Sequence, residues 1–551
     1  MTATLVRLDD DGERPFAVVS GAHHETAGGL VAAGRVRLDG REALRSALGL
    51  PADADDLALA AAAVERWDAD AATHLRGDFA LAAWDGERRR LHLLRDPLGA
   101  AALYLRRQTG SLFVSTSTQL LRVLPPRLDD LDEESVADFL LFGEVMHPER
   151  TAVAGLERLP PGSTLTLAPG AERRETRHDL ATLVADTAPP ADPVERFRTA
   201  FDAAVADRLP ATGPVGAWVS DGLDGALVAA TAAGVHGADV RGYTWSWPRL
   251  VGDGVGERAA AAGAEIGVPV SVEPVDDLRP WTGDLQDPAR PIHEPFFAVA
   301  CRLAERAAAD GCGVILTGEG ADDLCWATGD DVVAWARSQP LAATAAVARR
   351  VLERRGLPGL RLRGALARRF GRGGGWRPSY PTWLHPDLER RLDLPARWRA
   401  VTESPPVPGR RGAALTSLLH PRSEAVHRWY DAVTAATGVR FLHPFLDRRV
   451  AGLLLALPPL PWAWDKRIVR AAARGRLSDA VRLRPKRLLP TEPLLAHLAD
   501  PTWSPPARLV ASPALDRFVD RRAWAPRLAA AGPLDAWADT RPISLAGWLE
   551  R

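Results

Sequence analysis

Cysteine, methionine and lysine are scarce in this chain, and neither sign of charge predominates. The three cysteines, Cys301, Cys312 and Cys325, are odd in number and not spaced as ligand pairs. This excludes a disulfide framework and a cysteine-built metal site, and points to small buried residues in a reducing compartment. No cysteine precedes Cys301, so thiolate chemistry is absent from the N-terminal half. The formal charge is −1, from 69 basic and 70 acidic residues mixed along the chain. No global footprint for nucleic acid or an anionic membrane results. No apolar run approaches the ~20 residues of a membrane helix, and the stretch 450–457 is far too short. Residues 1–10 lack the basic-then-apolar pattern of a secretory signal. These absences predict a cytoplasmic protein with neither nucleic acid nor membrane as partner.

What is present suits a large globular protein. The 551 residues are 46% apolar and 25% charged, ample for a substantial core and several domains. To about Leu180, short alternating or apolar strands such as Phe79-Ala-Leu-Ala-Ala-Trp84, Leu91-His-Leu-Leu94, Leu112-Phe-Val-Ser115 and Ser163-Thr-Leu-Thr-Leu167 are punctuated by Gly, Asp and Pro. That texture predicts an α+β domain rich in antiparallel sheet. Pro189, Pro190 and Pro193 mark a linker. Beyond it, apolar strands at 214–219, 240–245 and 314–317 alternate with helical segments at 194–208, 226–233 and 257–266. This predicts a doubly wound parallel sheet, with ligands at the carboxyl ends of its strands. Residues 330–480 are mostly helical in pattern. The Arg-rich stretch 361–372, with the glycines that follow it, reads as a solvated loop or helix face, or else as a binding segment.

Two segments carry chemistry. Ser220-Asp-Gly-Leu-Asp-Gly225 follows a strand and precedes a helix. Such a turn is a plain connection or a phosphate cradle of backbone N–H groups, with Asp224 as a candidate Mg²⁺ ligand. Leu316-Thr-Gly-Glu-Gly-Ala-Asp-Asp323 also ends a strand. If the two strands share a parallel sheet, Asp224 and Asp322 meet, with Ser220 and Thr317 beside them. Two converging acids require a cation. The alternative for Asp322 or Asp323 is a helix N-cap.

These motifs, taken together, resemble the asparagine synthetase B-like family. The first loop is similar to the Ser-Gly-Gly-x-Asp-Ser pyrophosphate loop of ATP pyrophosphatases, and the second to Thr-Gly-Glu-Gly-Ala-Asp-Glu. Leu75-Arg-Gly-Asp-Phe-Ala80, Arg95-Asp-Pro-Leu-Gly99 with Leu103-Tyr104, and Leu159-Pro-Pro-Gly162 resemble the family's glutaminase domain. The last third looks most like the lasso-peptide macrolactam synthetases: Tyr380-Pro-Thr-Trp-Leu-His-Pro386, His443-Pro-Phe-Leu-Asp447, Leu457-Pro-Pro-Leu-Pro-Trp462, Asp465-Lys466, Arg474-Gly-Arg-Leu477 and residues 482–486. The resemblance implies a glutaminase-like (Ntn-type) α+β domain over 1–186. It implies an α/β ATP-pyrophosphatase-type synthetase domain, with helical additions, over 194–551.

It also implies the chemistry. ATP with Mg²⁺ adenylates an Asp or Glu side chain of a leader-free core peptide, and the peptide's N-terminal amine closes the ring as AMP leaves. A leader peptidase is the implied protein partner. Asp224 and Asp322 would hold the metal. Ser220, Gly222 and Gly225 would cradle pyrophosphate, and Val219, Thr244, Thr317 and Gly318 would lie near the nucleotide. Lys466 matches the lysine that contacts phosphates in the transition state, its alternative being a surface lysine opening a helix. A cation there opposes the helix dipole. Glu319 sits where relatives place a residue bearing on amine attack. The Trp-rich segments 245–247 and 462–464 are either a peptide groove or core packing.

Departures stand out at three places: position 2, the 220–225 loop and residues 440–442. Thr2 replaces the nucleophilic cysteine of glutamine-dependent relatives, so the first domain is expected to be a non-catalytic scaffold. Asp221 replaces a glycine, and a carboxylate about 5 Å from pyrophosphate costs on the order of 3 kcal/mol at an effective dielectric of 20, unless its side chain points away or a cation stands between. Gly225 replaces a serine, a loss of roughly 1 kcal/mol in hydrogen bonding. Arg440-Phe-Leu442 stands where relatives commonly carry Glu-Val-Arg. The rival readings are a β-lactam-type synthetase acting on a small molecule, and a degenerate synthetase that serves as a binding scaffold.

Overall fold

A computed structural model of the chain describes residues 4–9, 16–126, 128–176, 189–283, 287, 289–325, 327, 335, 337, 340, 379–405, 407, 411–485, 489–529 and 535–550. Thr2, the stretch 361–375, and most of the insertion between Trp326 and Pro381 lie outside them.

The N-terminal strands are β1 (Leu5–Asp9), β2 (Phe16–Ser20), β3 (His23–Glu25), β4 (Leu30–Leu38), β5 (Gly77–Asp85), β6 (Arg90–Arg95), β7 (Tyr104–Gln108), β8 (Ser111–Ser115), β9 (Glu157–Arg158), β10 (Ser163–Ala168) and β11 (Ala171–Thr176). They form two antiparallel sheets, in the orders β2-β1-β8-β7-β9 and β11-β10-β6-β5-β4-β3. Strand β5 explains the layering. Ala80 and Ala82 pack with Val6, Leu105 and Val114 between the sheets. Phe79, Leu81 and Ala83 face the helix Asp56–Trp67 on the outer side. Because side chains alternate with period two, a strand buried on both faces reads as one apolar run.

The C-terminal sheet holds β12 (Val215–Trp218), β13 (Val240–Ser246), β14 (Val270–Pro274), β15 (Val314–Leu316) and β16 (Arg440–Leu442). All pairs are parallel, in the order β14-β13-β12-β15-β16. Val314 and Leu316 enter one core while Ile315 enters the other, so helices cover both faces. The chain winds outward from β12 through β13 to β14 and then restarts at β15 on the opposite side of β12. A crevice therefore opens between the carboxyl ends of β12 and β15, the position where doubly wound sheets bind ligands.

The helix expected at 226–233 starts earlier, at Leu223, and runs to Ala230 before a π-helical turn over Thr231–Val235. Gly222 supplies the extended N-cap backbone, so Asp224 sits in the first helical turn. Asp323 caps no helix. It lies inside Ala321–Cys325 and accepts from the Ser417 hydroxyl at 2.6 Å. Cys312 and Cys325 are buried, Cys301 is half-buried, and all three are free. Trp247 belongs to a small core with Val275 and Val299, and Trp245 packs edge-on against Trp218 at 4.5 Å. Trp462 packs against the main synthetase core. Among the described residues no helix is long and apolar enough to cross a membrane.

The two domains share a core and a set of buried ions. Val136, Phe139 and Leu140 pack with Trp383, Leu388 and Ile543. Arg95 donates to the carbonyls of Ala101 and Gly99 at 2.8 and 3.2 Å, to that of Leu159, and to Glu424 at 2.7 Å. Arg208 bridges Asp39 of the first domain and Asp447 of the second, at 3.1 and 2.9 Å. The acidic trio Asp39, Asp207 and Asp447 is thus paired with three cations, Arg37, Arg208 and Arg449.

Candidate active site

Both loops rise from the switch crevice. After β12, the Val219 N–H donates to Tyr243 at 2.9 Å and its side chain joins the core. The chain then turns through Ser220, whose hydroxyl accepts the Gly222 N–H at 3.1 Å. No side chain caps the helix that follows. Its first turn, Leu223 and Asp224, borders the cavity.

After β15, Thr317 is held by its N–H to Leu442 at 3.0 Å and its hydroxyl against His443 Nδ1 at 2.7 Å. A Cβ on Gly318 would stand 2.7 Å from the Asp224 Cβ. A glycine at 318 is therefore what lets the two loops touch. The contact brings Asp224 and Asp322 together.

Lys466 joins them from a third element. Asp465 and Lys466 both adopt left-handed backbone, φ 52°, a costly pair for non-glycine residues. Arg470 holds the turn by donating to the Asp465 carbonyl at 2.7 Å and its carboxylate at 3.0 Å. The Lys466 side chain runs inward, 8% exposed. Its ammonium pairs with Asp224 and, at 2.7 Å, with Asp322. Burial pulls its pKa down, but the charges of Asp224 and Asp322 outweigh burial and leave it raised. The ammonium stays charged.

Ser220, Asp221, Gly222, Asp224, Asp322 and Lys466, with Arg470 and Arg484, line one cavity of about 210 Å³. Thr317 is buried, as is Thr244 on β13. The donor set suits a metal–polyphosphate: two carboxylates from touching loops, an uncapped helix N-terminus, and cations on the facing wall.

Asp221 does not confront this cavity alone. Arg258, from the helix Val255–Glu265, donates Nε to its carboxylate at 2.6 Å. Arg484 Nη1 donates to its carbonyl at 3.2 Å.

Gly225 does not line the cavity. A Cβ there would stand 2.3 Å from the Trp218 carbonyl oxygen, so glycine sets the close approach of helix to strand. Restoring the family residue with Gly225→Ser is therefore expected to destabilise the fold by about 1–3 kcal/mol, the usual range for overpacking. A urea-unfolding midpoint equal to or above that of the native chain would refute this.

Glu319 lines a second cavity, of about 490 Å³, with Leu98 of the first domain and Ser417, His420 and Arg422 of the second. The Tyr430 hydroxyl donates to its carboxylate at 3.1 Å. Burial raises the Glu319 pKa, and this bond only partly opposes the rise.

Tyr430, Arg258, Arg470 and Arg484 were not individually legible as site residues. Scarcity is the signal that points to Tyr430 and Lys466: the chain has four tyrosines, and its only two lysines are Lys466 and Lys486.

Comparison with known proteins accords with this geometry. The sequence profile of the glutamine amidotransferase domain matches residues 38–178. The glutamine-hydrolysing asparagine synthetase 1 of Bacillus subtilis is 26% identical over 266 residues, 46% of this chain and 40% of that protein. A Mycobacterium tuberculosis protein named as a glutamine-hydrolysing asparagine synthetase is 28% identical over 303 residues, 52% of this chain and 45% of that one. The chain thus spans less than half the length of either relative. The solved glutamine PRPP amidotransferase of B. subtilis aligns at TM-score 0.22 and 12% identity, over 57% of this chain and 84% of that one. The profile of asparagine synthase matches residues 196–546, which is more than half of the chain and contains every residue around the cavity; the chain belongs to the asparagine synthase family.

Proposed function

We propose that this chain uses ATP to adenylate an Asp or Glu side chain of a leader-free core peptide, and that the peptide's N-terminal amine closes a macrolactam. AMP and pyrophosphate are the other products. The observation that carries the reading is the convergence of Asp224, Asp322 and Lys466 on one point beside an uncapped helix N-terminus.

In this scheme Ser220 and the first N–H groups of the helix bind the pyrophosphate half of ATP. Asp224 and Asp322 would hold Mg²⁺, which when bound neutralises the triphosphate. Lys466 donates to the charge that develops at phosphorus during adenylation, from a site already shielded from water. Glu319, with its pKa raised by burial and its orientation set by Tyr430, accepts the proton of the attacking amine. Proximity of amine and acyl-adenylate within one folded peptide replaces a bimolecular encounter.

Two sequence features favour this substrate over ammonia from glutamine. No cysteine precedes Cys301, and the motifs of the last third are similar to those of lasso-peptide synthetases. The leader peptidase is the protein partner in the same proposal. The scaffold reading drew on Asp221 and Gly225, and the Arg258 pairing weakens the support from Asp221.

The test is peptide-dependent pyrophosphate release from ATP, with mass spectrometry of the peptide. A product lighter by one water is expected. No release, from folded protein with peptide bound, would sink the reading. In Glu319→Gln, peptide-dependent ATP–pyrophosphate exchange should persist while cyclic product falls about 100-fold, the scale of a lost general base. Equal loss of both would remove Glu319 from the amine step.

A further inference from the structure

We propose that Arg258 and Asp221 form one neutral unit that lets the altered loop accept a polyphosphate, which makes Arg258 a positioning residue for ATP. The inference rests on the nucleotide reading above.

Three carboxylates, Asp221, Asp224 and Asp322, border the cavity. Lys466 is committed to two of them. The third would stand as a bare negative charge beside an anion site if nothing offset it, and like charges at short range in a partly enclosed site repel strongly. Arg258 is placed to offset it.

The placement is built in. The residue before its helix, Gly254, has φ +59°, and a Cβ there would stand 2.8 Å from Arg258 Nη1. Arg258 Nη2 donates to the Asp253 carbonyl at 2.9 Å. The Asp253 carboxylate in turn accepts the N–H of Trp247 at 2.8 Å and of Val255 at 3.0 Å. The turn after β13 is thereby a bonded platform that aims one guanidinium at Asp221. The side chains of Arg258 and Asp221 are 27% and 18% exposed, so the pair is less screened than a surface salt bridge. Arg484 holds the same residue from the opposite wall through its backbone carbonyl, which leaves the Asp221 carboxylate to Arg258. A carboxylate in place of the family's glycine and an arginine on the next crossover thus compensate each other.

The experiment is calorimetric binding of Mg²⁺–ATP and of Mg²⁺–pyrophosphate to the full chain, with thermal melting as the control for folding. Arg258→Ala should raise both dissociation constants about 30- to 100-fold, as expected for an unmasked charge near the ligand, with the melting midpoint little changed. Adding Asp221→Gly to that variant should return both constants to within about fivefold of the native chain. An unaffected Arg258→Ala would overturn the inference. So would a double variant as weak as the single, because Arg258 would then act on the ligand or the fold and not through Asp221. A native chain that binds neither ligand would instead reject the nucleotide reading itself, and the unit with it.

Discussion

Lys466→Ala should lower peptide-dependent pyrophosphate release by roughly 10³-fold, the scale of removing a preorganised charge-stabilising donor from an enclosed site. The ammonium is buried, stapled into a left-handed turn, and held 2.7 Å from Asp322. The chain has one other lysine, Lys486. Lys466→Arg should not rescue the rate, since a planar guanidinium does not reproduce a point charge delivered between two carboxylates. Removing the ammonium also leaves Asp224 and Asp322 facing each other without their shared cation, which raises the cost of ionising both. Added Mg²⁺ should therefore stabilise the variant against heat more than it stabilises the native chain, because an ion that binds only the folded state adds its binding free energy to stability. Pyrophosphate release and melting curves with and without Mg²⁺ measure the two effects. A variant within tenfold of the native rate would remove Lys466 from the chemistry. A variant that loses its melting transition instead would reassign Lys466 to the fold.

Glu424→Ala should destabilise the whole protein by about 3–5 kcal/mol, the usual result of removing one partner from a buried ion cluster. Glu424 lies at the domain interface, 2.7 Å from Arg95, 3.3 Å from Arg158 and 3.6 Å from Arg290. Burial works to raise its pKa, yet the charges of Arg158, Arg95, Arg290 and Arg428 together hold it well below the ordinary value. The sign of the pH effect follows. A carboxylate depressed in the folded state contributes stability that is fully present above its unfolded pKa of about 4.3 and is lost as pH falls toward its folded value. In that acid window the unfolded native chain binds one proton more than the folded chain at this site. Stability should there rise with pH by about 1.4 kcal/mol per unit more steeply than in Glu424→Gln, which cannot titrate. Urea unfolding between pH 3 and 7 reads both quantities. Equal slopes in the two proteins would show that the cluster does not hold Glu424 ionised.

The same contrast between local and distant determinants separates what was legible in the sequence from what was not. Apolar runs at β5, β12, β13 and β15, and the Gly- and Asp-rich turns after β12 and β15, are local patterns with local causes, and each corresponds to an observed element. The convergence of Asp224 with Asp322 also followed, because parallel strands in one sheet put successive carboxyl ends on one edge. Helix starts were less legible. No capping side chain marks the helix at Leu223, and only its glycine N-cap announces it.

The functional partners beyond those loops were set at a distance. Arg258 lies 37 residues from Asp221, Tyr430 111 from Glu319, and Glu424 329 from Arg95. Sequence periodicity records which face of an element is apolar, but not which guanidinium on the next crossover reaches a given carboxylate. Asp221 shows this most directly: by sequence it is an extra charge in a phosphate loop, and in the fold it is half of an ion pair. Gly225 shows the converse, a missing hydroxyl by sequence and a contact with the Trp218 carbonyl in the fold. The sequence by itself indicated two textures of domain and a crevice with Asp224 and Asp322 on its loops, because these follow from strand alternation and turn chemistry; Lys466 was reached only through the motif resemblance. Only the tertiary structure decided whether the altered loop is electrostatically tolerable, because long side chains choose their partners through packing.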